Sequence, residues 1–114
     1  MPGGRAPVRV LPAAEFERRR ILRALRARSR YRYVRPAVQA VECGWVVTSP
    51  CCSRNVDPAG GVIAICWFEP RAGGGWRLYA HDHAQSSWRL HAEAEELNAL
   101  IAHVCEDPDR IFWP

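Results

Sequence analysis

Val62-Ile63-Ala64-Ile65-Cys66-Trp67-Phe68 is the stretch on which the fold turns. Its seven residues are all apolar and three are β-branched; Gly60-Gly61 precedes the run and Pro70 follows it closely. So short an apolar run between turn residues reads as a central strand, apolar on both faces. The expectation is a helix on one side of it and other cover on the opposite side.

Working outward, Pro70 to Gly75 reads as a hairpin loop. Trp76 to His83 and Ser87 to Ala92 follow as two strands joined by a short polar turn. On the other side, 51–61 is a loop of turn residues. Before it, Val41 to Ser49 is a strand centred on Trp45, Val46 and Val47 and ended by Pro50. Tyr31 to Val38 is an extended approach through Arg35-Pro36, because the residue before a proline avoids helical geometry.

Helices flank this set. Ala13 to about Ser29 lacks Gly and Pro and carries Ala14, Ile21, Leu22 and Leu25 as its apolar stripe. Glu93 to about Glu106 carries Ala94, Leu97, Leu100, Ile101 and Val104. Glu93, Glu95 and Glu96 would fill its first turn, where the helix dipole favours anions. Asp107-Pro108 stops it, and the apolar end Ile111-Phe112-Trp113-Pro114 is expected to pack back on the sheet. The predicted architecture is α+β: an N-terminal helix, a four-stranded antiparallel sheet and a C-terminal helix in a two-layer sandwich, both helices on one face. Residues 1–12 read as a flexible leader and 13–114 as a single domain.

Composition agrees. The 114 residues are 48% hydrophobic and 25% charged, an ordinary globular mix. No apolar run approaches the ~18 residues of a membrane helix. Arg residues punctuate the first forty positions, unlike a signal peptide. Five cysteines, an odd number, fit reduced thiols and a cytoplasmic location.

Charge is unevenly spread. Residues 1–40 hold eleven Arg against two Glu, a net of +9, whereas 41–114 hold five Arg against ten carboxylates, a net of −5. A basic third on an acidic body suits an anionic partner or internal neutralisation.

Several of these pieces resemble one family. The helix, the Arg35-Pro36 approach, the hairpin Trp76-Arg77-Leu78-Tyr79, the following Trp88, and the end Asp107-Pro108 … Phe112-Trp113 are similar to the bacterial domain of unknown function 3024 over residues 14–114. Cys51-Cys52-Ser53-Arg54-Asn55 lies outside that pattern. The resemblance brings no activity or catalytic residue with it.

The candidate chemistry divides three ways. First, exposed aromatic and Arg side chains suit a protein interface: Trp76, Trp88 and Tyr79 with Arg77 and Arg89 are the partner-binding candidates. Second, Arg19, Arg23, Arg26 and Arg30 step along one helix face and continue to Arg32 beside Tyr31 and Tyr33, a layout suited to nucleic acid. Third come thiol or metal enzymes. Cys51 and Cys52 lie near Arg54, which would favour a thiolate, but no C-x-x-C pair exists. Cys66 and Cys105 fall on apolar stripes and read as inert core residues. His81, His83 and His91 would make an open metal site only if they converged across the hairpin, and a wet polar face of the hairpin is the preferred reading. Gly73-Gly74-Gly75 precedes a strand, not a helix, and so is a turn rather than a phosphate cradle. The resulting expectation is a small non-catalytic module without cofactor. It docks a protein partner through the uncovered sheet face, with nucleic-acid binding as the alternative and an enzyme third.

Overall fold

The computed structural model describes residues 13–50 and 61–114. The leader 1–12 and the Cys51-Cys52 loop therefore lie outside the described residues.

Helix α1 spans Ala13–Ala24 and tightens into a 3-10 turn over Leu25–Ala27. Ile21 and Leu25, one turn apart, are fully buried, whereas Ala14 is exposed. The helix stops short of Ser29 because Arg28 turns extended, with ψ 148°. Its guanidinium then donates to the carbonyls of Leu25, Tyr31 and Val34. A cationic side chain thus caps the Leu25 carbonyl at the helix end and ties it to the loop that follows.

The sheet has five strands, not four: β1 (Ala37–Val41), β2 (Gly44–Pro50), β3 (Val62–Pro70), β4 (Trp76–Asp82) and β5 (Ser87–Ala94). They pair antiparallel in chain order, which puts β3 at the centre. The additional strand arises at Glu42-Cys43, where the chain reverses and Val41 pairs with Gly44. Gly44 has φ +103°, and a Cβ there would fall 1.9 Å from the Phe68 carbonyl oxygen. Only glycine permits this hairpin at this approach. The segment that reads as one strand from Val41 is therefore a turn followed by a strand.

Helix α2 is Leu97–Glu106, shorter than expected. Glu93 and Ala94 instead finish β5, paired with Arg77 and Trp76. Ladder pairing satisfies their backbone groups, and the helix begins only where Leu97 supplies its first buried residue.

Contacts of α1 with β1 and of α2 with β3, β4 and β5, together with α1 against α2, put both helices on one face. Beneath them lie Val47, Ile65, Phe68, Leu78, Leu100, Val104 and Trp113, all fully buried. Each such side chain contributes roughly 1.5–3 kcal/mol on burial. The central run is not covered on both sides, however. Ile63, Ile65, Cys66 and Phe68 are buried, Ala64 and Trp67 only half-buried, and Val62 exposed. A bulge between Val47 and Thr48 leaves Ile65 without a partner in the register.

The C-terminal end packs back as expected. Asp107, 1% exposed and left-handed at φ 36°, closes α2. Its carboxylate accepts the backbone N–H groups of Ile111 at 2.7 Å, Phe112 at 3.1 Å and Trp113 at 2.8 Å. Trp113 Nε1 donates to the Val104 carbonyl at 2.9 Å. The Tyr31 hydroxyl donates to the Pro114 carbonyl at 2.5 Å.

Candidate functional site

Strand alternation sends one set of side chains away from the helices. Trp67 and Glu69 on β3, Arg77, Tyr79 and His81 on β4, and Trp88 and Leu90 on β5 form this outward set. The register sets Val46, Trp67, Tyr79 and Leu90 in one row across β2 to β5, and His81 opposite Trp88 in the next.

Contacts bind the rows into a patch. Trp67 and Tyr79 stack at 4.5 Å, Trp67 and Trp88 lie 6.0 Å apart and tilted, and His81 meets Trp88 edge-on at 4.9 Å. Trp67 Nε1 donates to the Cys43 carbonyl at 2.7 Å, which fixes the indole over the sheet. Leu90 remains 54% exposed beside them. No helix of the described residues covers this face.

The patch is charged on one side. The Tyr79 hydroxyl donates to Glu69 Oε1 at 2.9 Å, and Arg77 lies 3.4 Å from the same oxygen and 3.9 Å from Glu93. Burial and then the Glu69 bond push the Tyr79 phenol above its usual value. The Glu69 hydrogen bond likewise raises Arg77. At the other end, His81 Nδ1 and His83 Nδ1 are 3.2 Å apart. Burial first, then the neighbouring His81, hold His83 below the usual 6.5.

Of the five partner-binding candidates, Tyr79, Trp88 and Arg77 meet on this face. Trp76 does not: it shares parity with Leu78 and packs against the core with Ala92 and Ala94. Arg89 pairs opposite buried Ala80, on the helix side of the sheet, and its guanidinium is held by Asp82 at 2.8 Å. Trp67, absent from that set, stands at the centre. Its parity relative to Phe68 is the signal that would have found it.

The three histidines do not converge. Pairing jumps from Leu78–Ala92 to Tyr79–Leu90, so His91 occupies a bulge. Its ring lies against His103 at 5.7 Å and Phe112 at 5.1 Å, away from the His81–His83 pair. Among the described residues no group of three His, Cys, Asp or Glu side chains could hold a metal ion. Cys66 and Cys105 are buried, and burial raises both thiols. Cys51 and Cys52 fall outside the described residues.

The arginine stripe divides. Arg19 is drawn to Glu15 at 3.1 Å and Arg30 toward the Asp107 carbonyl at 3.4 Å, while Arg23, Arg26 and Arg32 are exposed.

A five-stranded meander with helices on one face, and an aromatic face that no helix of the described residues covers, defines a small α+β domain. The chain belongs to the family described as Domain of unknown function (DUF3024), whose model matches residues 8–114. No curated protein and no solved structure matches the chain. Among the described residues no helix is long and apolar enough to cross a membrane.

Proposed function

We propose that this chain is a non-catalytic cytoplasmic binding module that docks a protein partner on its uncovered sheet face. The observation that carries this reading is the Trp67–Tyr79–Trp88 cluster with Leu90 beside it, left without a helix among the described residues. Aromatic residues at the centre and charges at the edge are the composition of a protein interface. The edge charges Arg71 and Arg77 already pair with Glu69 and Glu93, so the partner surface that fits here is apolar rather than strongly charged.

Recovery of the tagged chain from its own cells tests this, with complexes sized before and after nuclease. The expected result is a protein retained by the parent chain, resistant to nuclease and lost from Trp67→Ala/Trp88→Ala. A complex that dissolves with nuclease overturns the reading in favour of nucleic acid, and a nuclease-resistant one that survives the double substitution removes the aromatic face as the interface.

A further inference from the structure

Arg26, Arg28, Arg32 and Arg35 line one cavity of about 600 Å³, walled further by Leu22 and Val34. No carboxylate lines it, and none of the four arginines is ion-paired among the described residues. Arg28 is 6% exposed. Its guanidinium bonds to three main-chain carbonyls and lies 5.4 Å over the Trp113 ring, with no ion-paired carboxylate among the described residues.

Those bonds make Arg28 a positioning residue. It ties the 3-10 turn that carries Arg26 to the loop that carries Arg32 and Arg35, and the Val34 N–H to Tyr31 carbonyl bond closes that loop at 3.2 Å. Four like charges around one concavity repel, and a buried cation without an anion is costly. An anion of charge two or more would relieve both effects, and guanidinium forks match phosphate oxygens. The cavity has the size of a small-molecule site, not of an extended groove. Arg19 and Arg30, which would prolong it into a strip, are drawn elsewhere by Glu15 and the Asp107 carbonyl.

We propose that this cleft binds a compact diphosphate group, carried either by inorganic pyrophosphate or by a nucleotide. The site is separate from the aromatic face, and neither reading depends on the other.

Calorimetric titration of the full chain at low salt, with pyrophosphate and with ADP, tests it. Binding is expected, weakened at least tenfold in Arg32→Gln/Arg35→Gln and unchanged in Arg19→Gln/Arg23→Gln. Arg26→Gln, on a different element, gives a second loss should the double variant fold poorly. Tighter binding of ADP than of pyrophosphate assigns the nucleotide as the source, and equal binding assigns the free diphosphate. Absence of binding by both probes, or equal binding by the cleft variants, overturns the proposal. So does steeply salt-dependent oligonucleotide binding that saturating pyrophosphate fails to displace.

Discussion

Trp67 and Tyr79 stand directly opposite each other in the β3–β4 register and stack at 4.5 Å with ring planes 22° apart. A stacked pair on a half-exposed sheet face couples beyond its area burial by roughly 0.5–1.5 kcal/mol. A double-mutant cycle with Trp67→Ala and Tyr79→Ala, followed by urea unfolding, should return a coupling in that range. Additive single effects would mean that the rings contribute independently.

Ile65 is fully buried at the centre of β3. Ile65→Ala should therefore cost about 2–5 kcal/mol in urea unfolding, the transfer loss plus a cavity. A loss under about 1 kcal/mol would show that the helix layer collapses into the space.

Asp107 acts on the C-terminal end through its carboxylate, which accepts three successive backbone N–H groups. Asp107→Ala strands those donors in a buried setting and should cost about 3 kcal/mol. Asp107→Asn keeps one acceptor oxygen and tolerates the left-handed backbone, so it should cost less. Urea unfolding compares the two, and Trp113 emission should shift red in the alanine variant first.

Much of this was legible in the sequence because period and punctuation carried it. The apolar run 62–68 became the central strand, the two helices share a face, and Phe112-Trp113 returned to the core. What escaped depended on single-residue geometry. Strand β1 hides in a two-residue reversal that needs Gly44 against the Phe68 carbonyl. The β5 bulge at His91 flips parity, so Arg89 leaves the aromatic face and Leu90 joins it. Trp76 was separable by alternation alone, since it keeps step with buried Leu78 and Ala80. The fork of Arg28 into its own chain carbonyls has no periodic signature at all.

His83 gives a pH dependence with a definite sign. Burial, then His81, lowers its folded pKa below 6.5, so the folded state disfavours the proton. Its neutral form is compatible with full stability above the unfolded value. Stability should fall as pH drops from about 6.5 through the lower folded pKa. Proton NMR titration should place the His83 midpoint below 6.5, and His83→Gln should flatten this part of the stability profile. A midpoint at or above 6.5 would contradict the burial of this ring.

Trp76 opens β4 and Trp88 is the second residue of β5; both stretches read Trp-Arg-Leu, yet the two rings lie on opposite faces of the sheet. Trp76 packs against the core, and Trp76→Ala should cost roughly 2–4 kcal/mol of stability, since a partly buried indole leaves a void at the core's margin. Partner recovery should survive wherever the variant remains folded. Among the described residues Trp88 meets the rings of Trp67 and His81, on the face that no helix covers. Trp88→Ala should cost about 1 kcal/mol of stability. As an anchor it should nevertheless weaken partner binding by about 2 kcal/mol or more. Urea unfolding and partner titration on the same two variants separate the roles. If Trp76→Ala loses the partner while Trp88→Ala keeps it, the interface lies on the helix side and the aromatic face is merely a solvated surface.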